Sequence, residues 1–418
     1  MNLREMFRER ADQPDSAYAW LRLSIAVLIG MIGGVGMWSV PVALPAVQAD
    51  FGVDRAAASL PYTLTMVGFA VSGVALGRLV DRFGISIPLA VGAAAIGIGY
   101  IAASFAPNIY IYAIVQGVLV GGGSAAFFGP LMTDISMWFV RRRGMAVAIC
   151  ASGNYIAGAI WPKPLDYAIA MNGWRPTHIV VGLICLATLL PVALLMRRRP
   201  PALGAVGASV PAFKPRALGL SPNALTGILC IAGVACCVAM AMPQVHIVAY
   251  CGDLGYGVAR GAEMLSLMLG FGIVSRLASG FIADKIGGVG TLLLGSTLQG
   301  VALVLYFFFD GMMSLYVISA LFGLFQGGIV PSYAIIVREY FSPKEAGVRL
   351  GVVLMATLFG MALGGWISGV VFDLTGSYHA AFINGIGFNL FNLAIAGWLL
   401  RRAWKRNALF PVKALAPA

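Results

Sequence analysis

Apolar stretches of about twenty residues recur along the whole chain, and nothing else in the sequence narrows its fold as much. At about 1.5 Å of rise per residue, a helix of that length crosses the ~30 Å hydrocarbon core of a bilayer. About twelve spans are expected, at 20–48, 58–80, 86–105, 109–136, 144–168, 177–196, 223–250, 262–283, 289–309, 312–337, 348–372 and 380–400. Several exceed twenty residues, and Pro41, Pro45, Pro130, Pro162, Pro164, Pro243 and Pro331 lie within or near them, so tilted or kinked helices are expected. Buried proline is tolerated there because neighbouring helices satisfy the freed backbone groups.

Only 11% of the 418 residues are charged and 60% are hydrophobic, whereas a soluble domain is about 25% charged. The solvent of this chain is therefore mainly lipid. Its net charge of +12 would suit a nucleic-acid partner if the basic residues were clustered, but about 23 of the 28 Lys and Arg fall in alternate loops. That is the pattern of the positive-inside rule. Arg78 and Arg82 follow span 2, Arg141–Arg143 follow span 4, Arg197–Arg199 follow span 6, Lys285 follows span 8, and Arg401, Arg402, Lys405 and Arg406 close the chain. The opposite loops carry Asp50, Asp54, Asp253, Asp310 and Asp373. Both termini are thus expected in the cytoplasm, in a cell (inner) membrane, with no nucleic-acid partner. The polar segment Met1–Tyr18 and the long first apolar run do not match a cleavable signal peptide. Six scattered cysteines without ligand spacing read as small apolar core residues.

The chain is expected to consist of an N-terminal tail (1–19), a six-helix bundle (20–196), a flexible Arg/Pro/Gly-rich linker (197–222), a second bundle (223–400) and a C-terminal tail (401–418). The two bundles repeat one another. Gly77-x-x-x-Asp81-Arg82-x-Gly84 after span 2 returns as Gly280-x-x-x-Asp284-Lys285-x-Gly287 after span 8. Gly117 is echoed by Gly323 and Asp166 by Asp373, and all three offsets are 203–207 residues. The fold class is therefore an all-α membrane protein of twelve transmembrane helices in two pseudo-symmetric six-helix bundles. Such duplications place a substrate site near the bilayer midplane, between the halves.

Arg276 lies inside the apolar segment Met264 to Ala283. It stands eight residues before Asp284, which is about 12 Å from the cytoplasmic edge. A guanidinium at that depth costs about 2.5–3.5 kcal/mol on insertion scales and cannot release its proton. No Asp or Glu is expected at comparable depth in another span, so the missing counter-ion reads as a ligand anion. The alternative is a structural cation bonded to helix-end carbonyls. Ser124, Phe127 and Phe128 in span 4, Gln326 and Tyr333 in span 10, and Asn384 and Asn389 in span 12 are candidates to line the cavity. Packing or bonding between helices is the competing role for each. Lys163 and Asp166, three apart, read as a local pair or a gate. The Gly-rich runs are packing surfaces rather than phosphate loops, since no strand precedes them. No Ser/His, paired-Asp or His/Glu metal constellation stands within the spans, so neither catalytic residues nor a cofactor or metal are expected.

In Gly77-x-x-x-Asp81-Arg82-x-Gly84 the glycines allow close helix approach and a tight turn, and the charges reach neighbouring helix ends. With its second copy, twelve spans and a central linker, the chain resembles the major facilitator superfamily over essentially its full length. The resemblance implies that this loop and its copy (Gly280, Asp284, Lys285) latch the cytoplasmic side, with Asp134 as acidic partner of Arg78 or Arg82. Gly121-Gly122-Gly123-Ser124, Trp138-Phe139-Val-Arg-Arg-Arg143-Gly144, Pro243-Gln244-Val-His246 and Ser275-Arg276 are similar to the monocarboxylate-porter branch, including bacterial lactate- and pyruvate-type carriers and oxalate:formate exchangers. There the span 8 arginine binds the substrate carboxylate, matching Arg276, and a span 7 histidine contributes, matching His246. Position 272, Asp in animal members, is Gly here, and Val352 to Val371 lacks the lysine of dicarboxylate exchangers. One fixed cation favours a monocarboxylate. His246 lies near the outer end of span 7 unless Pro243 breaks the helix, and it reads as proton carrier, hydrogen-bond donor or interfacial packing.

The expected function is alternating-access transport of a small lactate- or pyruvate-like monocarboxylate, with a proton and as a monomer. An oxalate:formate-type exchanger is one alternative. A proton-driven exporter of drugs or metabolites is another, but Gly158-x-x-x-Pro162 followed by Lys163-Pro164 matches its span 5 signature poorly. A membrane sensor or an intramembrane enzyme has less in the sequence to support it.

Overall fold

The computed structural model describes residues 14–198 and 218–409. Much of the expected linker 197–222 and parts of the two tails lie outside the described residues. Among those described, eleven segments are long and apolar enough to cross a membrane. In the first half these are α1 (Ala17–Phe51), α2 (Arg55–Phe83), α3 (Ser86–Ser104), α4 (Ile109–Trp138), α5 (Arg143–Asn172) and α6 (Trp174–Leu195). In the second half they are α7 (Pro222–Asp253), Val258–Phe308, α10 (Met312–Tyr340), α11 (Pro343–Thr375) and α12 (Tyr378–Leu409). The 51-residue segment is not one helix: Gly287, at φ 75° and ψ 169°, divides it into α8 (258–286) and α9 (288–308). The expected twelve helices are thus present, and α12 runs nine residues beyond the expected end of its span.

Local chemistry sets the ends. Ser16, Asp54, Asn108 and Ser221 cap α1, α2, α4 and α7 by accepting from the N–H three residues on, which satisfies donors a helix start leaves free. Gly52 and Gly376 close α1 and α11 in the left-handed conformation. The turn glycines Gly84 (φ 80°) and Gly287 (φ 75°) repeat the same positive-φ geometry 203 positions apart, a conformation open to glycine and strained for other residues.

Each bundle is held by the same small-residue contact. A β-carbon on Gly117 or Gly121 of α4 would run into the backbone of Leu64 or Thr65 on α2. In the second bundle a β-carbon on Gly323 or Gly327 of α10 would run into the backbone of Met268 or Gly272 on α8. Lipid tails are as apolar as leucine, so close backbone approach replaces hydrophobic burial as the source of helix association. Both helices are irregular at or just beyond these glycines. In α4 a π turn at Gln116–Gly121 and a 3-10 turn at Ala125–Phe127 lead to a break at Phe128 (φ −128°, ψ −82°), ahead of Pro130. In α10 the break falls at Gly327 and Gly328, ahead of Pro331. Irregular backbone at membrane depth is tolerated where protein buries it or a cavity adjoins it.

Asp134 departs from expectation. Its carboxylate takes Arg22 Nε at 2.7 Å and Nη2 at 3.0 Å, and Arg22 Nη2 also donates to Met196 O at 3.2 Å. Arg22 is 1% exposed and stacks on Trp138, its guanidinium carbon 4.8 Å from the ring centroid. The partner is therefore neither Arg78 nor Arg82, because Asp134 faces inward to α1 and α6 and ties the first bundle at its own end. Arg22 is thus a buried cation whose counter-ion is supplied within the first bundle.

Two outcomes follow for the purified protein. Asp134→Asn leaves Arg22 buried without its counter-charge and should cost about 3 kcal/mol or more, read as a lowered thermal unfolding midpoint in detergent. Gly323→Val should lose about 1–3 kcal/mol by overpacking, whereas Gly347→Val, where a β-carbon meets nothing within 4 Å, should leave the midpoint unchanged.

Candidate functional site

The bundles meet at the end carrying the aspartate loops. Arg55, 7% exposed at the start of α2, donates from Nη1 to Tyr378 Oη at 2.8 Å and from Nη2 to Asp253 Oδ1 at 3.2 Å. Asp373, at the end of α11, accepts the backbone N–H groups of Arg55 and Ala56 at 2.9 and 2.7 Å. An acidic group from the second bundle thus caps a helix start of the first, where anions are favoured. Thr63 Oγ1 donates to Ala362 O at 3.0 Å, and Lys163 pairs with Glu263 at 3.3 Å. The expected Lys163–Asp166 pair does not form, because Lys163 reaches across to α8 instead of along its own helix.

Toward the basic loops this contact ends. Gly73 and Gly77 on α2, Gly280 on α8, and Gly347 and Gly351 on α11 have nothing within 4 Å of a would-be β-carbon. Arg82, Asp284 and Lys285 are exposed, and the side chain of Asp81 lies outside the described residues. The expected close approach at Gly77 is therefore absent here, although Gly84 does make the tight turn.

Between the closed and open ends lies a cavity of about 570 Å³, part of it open to solvent. The first bundle lines it with Trp38, Phe69, Phe128, Asn154 and Tyr155. The second contributes Met240, Gln244, Arg276, Thr357 and Met361. Arg276 Nη1 donates to Ala151 O on α5 at 3.1 Å, and its guanidinium carbon sits 4.3 Å from the Tyr155 ring centroid. Its Nε is buried without a hydrogen-bond partner. Among the described residues no carboxylate pairs with it. Small residues explain the placement. Gly272 leaves room for the Tyr155 ring, which a β-carbon there would strike, and Gly327 and Gly328 pack on Ser275 and Ser279. A carbonyl and a ring face stabilise a cation without neutralising it, so the site retains a positive charge, and its buried Nε–H is a free donor.

Of the other expected binding residues, Phe128 lines the cavity, and Gln326 stands directly behind Gln244, accepting from its Nε2 at 2.8 Å. The rest are elsewhere. Helix α7 passes unbroken through Pro243, so His246 stays seven residues before its end at Asp253. His246 is fully buried there, Nδ1 at 3.0 Å from Tyr378 Oη and Nε2 at 2.8 Å from Gly365 O, beside the Arg55 contacts instead of beside Arg276. Ser124 donates to Val120 O on its own helix and abuts Gly36 of α1, and the Phe127 ring covers Gly33. Tyr333 is buried inside the second bundle, its hydroxyl 3.5 Å from Asn392 Oδ1. Asn389 bonds Ser296 O and Gln299, and Asn384 is half-buried on α12 away from the cavity lining. Tyr155, Asn154 and Gln244 line the cavity without having been among the expected binding residues, although each is a polar residue inside an apolar run. Rotation about the helix axis, rather than residue type, separates them from Ser124 and Tyr333.

The sequence model of the Major Facilitator Superfamily matches residues 26–318 and 291–411. Monocarboxylate transporter 13 of Bos taurus is 26% identical over 391 residues, covering 90% of this chain and 87% of that protein. The MFS-type transporter YcxA of Bacillus subtilis is 25% identical over 345 residues, covering 80% and 83%. Among solved structures, a bacterial homologue of the human lysosomal transporter Spinster, inward-facing and unoccupied, superposes with a TM-score of 0.70 at 15% identity, covering 93% of this chain and 98% of that one.

If the Arg55–Asp373 contacts hold the acidic end shut, Asp373→Ala should free it. In an Ala362→Cys background the added change should raise the rate of thiol labelling from that side about tenfold, the effect of losing about 1.4 kcal/mol of closure.

Proposed function

We propose, given that the chain belongs to the Major Facilitator Superfamily, that this multi-pass transporter carries a small organic monocarboxylate by alternating access. The observation that bears most weight is the guanidinium of Arg276, which lines the inter-bundle cavity with a free Nε and, among the described residues, no carboxylate partner. A carboxylate accepts charge-assisted bonds from such a group in the geometry arginine presents. The aromatic and methionine walls suit a short hydrocarbon body. The likeness to a protein named as a monocarboxylate transporter supports the same substrate class.

The distribution of basic loops supports a cell (inner) membrane location with both termini cytoplasmic. On that orientation the cavity opens inward and the Arg55–Asp373 closure faces outward. The halves 20–196 and 223–400, joined by 197–222, act as the two rocking bodies of a monomer. The loop motifs around Gly77–Gly84 and Gly280–Gly287 come together when the inner side closes, a role that leaves Asp134 as an internal tie of the first bundle. Proton symport suits the substrate, since a monoanion moving with one proton transfers no net charge. His246, with both ring nitrogens engaged away from the cavity, does not sit where it would relay that proton. The proton therefore travels on the substrate carboxyl group or through water.

In proteoliposomes, labelled lactate or pyruvate should accumulate, and an inward-directed proton gradient should increase uptake. Stimulation only by a preloaded anion would indicate exchange, and failure with every small carboxylate would exclude the substrate class. Arg276→Gln should lower uptake about 10- to 100-fold, the loss expected for a charged hydrogen-bond donor, with Arg276→Lys retaining part of it.

A further inference from the structure

We infer that Gln244, held by Gln326, recognises a hydroxyl group on the transported acid, so that the carrier prefers a hydroxy monocarboxylate to the same acid without the hydroxyl. This rests on the carboxylate role of Arg276 and extends it to the second polar contact of the same cavity.

Gln244 on α7 is 1% exposed and Gln326 on α10 is fully buried. Their single mutual bond, Nε2 of Gln244 to Oε1 of Gln326 at 2.8 Å, uses half of each amide. The Oε1 of Gln244 is left buried without a partner, as is Nε2 of Gln326. Buried polar atoms are nearly always matched, and an unmatched one at a cavity wall marks where a ligand or water completes the set. Gln244 lines the cavity that Arg276 lines. Arg276 and Gln244 are thus residues of one cavity wall, the first with an unsatisfied charged donor, Nε, and the second with an unsatisfied neutral acceptor, Oε1.

A carboxylate has only acceptors, so it matches Arg276 and leaves Gln244 unmatched. A hydroxyl on the same small molecule supplies the missing donor. A keto oxygen would set acceptor against acceptor. Of the other polar wall groups, Thr357 Oγ1 donates to Leu354 O at 2.7 Å, and Asn154 Nδ2 lies 3.0 Å from Met37 Sδ. Gln326 is not among the residues lining this cavity and acts as a positioning residue, holding the Gln244 amide by its Nε2.

The test is competition against labelled lactate uptake in proteoliposomes by unlabelled lactate, propionate and pyruvate. The wild-type protein should favour lactate over both others by about tenfold, the discrimination one neutral hydrogen bond supplies after its exchange with water. Gln244→Leu should bring the lactate-to-propionate ratio toward one, with lactate losing more, and Gln326→Leu should lower the ratio partway. Should Gln244→Leu not yield folded protein by its thermal unfolding midpoint, Gln244→Asn, which keeps the amide one methylene short, should still reduce the ratio. Equal competition by lactate and propionate in the wild type, a ratio unchanged in these variants, or a preference for pyruvate (the order that a reversed pair of amides would produce) would each overturn the hydroxyl inference while leaving the carboxylate reading intact. Failure of all three acids to compete or be taken up would overturn both.

Discussion

A fixed positive charge within a lipid slab has to be answered by something, and much of the arrangement around Arg276 follows from how this chain answers it. A carboxylate on α5 would neutralise the guanidinium and pin the two bundles at one separation. Instead α5 offers a main-chain carbonyl and the face of Tyr155. Gly272 is part of the same solution, because any side chain there would collide with the Tyr155 ring. The contacts hold the cation in place but leave its charge unquenched, facing a cavity that both halves of the molecule build.

The rest of the molecule makes that cavity mobile without making the helices soft. Within each bundle, glycine surfaces on α4 and α10 bring backbones together at van der Waals limits, and the Arg22–Asp134 pair ties α1, α4 and the end of α6. Between bundles, the described polar contacts lie at the level of Arg276 or beyond it toward the aspartate loops. Stiff bodies joined through a contact concentrated at one end rearrange most easily as bodies, which is how duplicated carriers expose a central site to alternate sides.

Most of the architecture was legible in one dimension. Span length and the 203–207-residue repeat implied twelve helices in two halves, and even the break that separates α8 from α9 is announced by the glycine of the second loop motif. Arg276 was legible because a charge in an apolar run has few explanations. The neutral polar residues were not. Ser124, Tyr333 and Asn384 carry the same signature as Gln244 and Asn154, and what separates them is the rotation of each helix, which packing at distant glycines decides. Asp134 found its partner 112 residues away, on a helix start where an arginine passes for a membrane-edge charge. His246 lies near the outer end of its span, as its position in the sequence indicates, because Pro243 sits in α7 without breaking it, and this keeps it away from Arg276.

The cap that Asp373 places on α2 has an evolutionary corollary. Its two donors are amide groups of the main chain, present whatever side chains occupy positions 55 and 56, proline excepted. Substitution on that side can strip away the guanidinium's share of the closure but not this one. Selection on how readily the far side unseals thus has an uneven pair of handles, and the stronger of them is a single acidic codon in the second repeat.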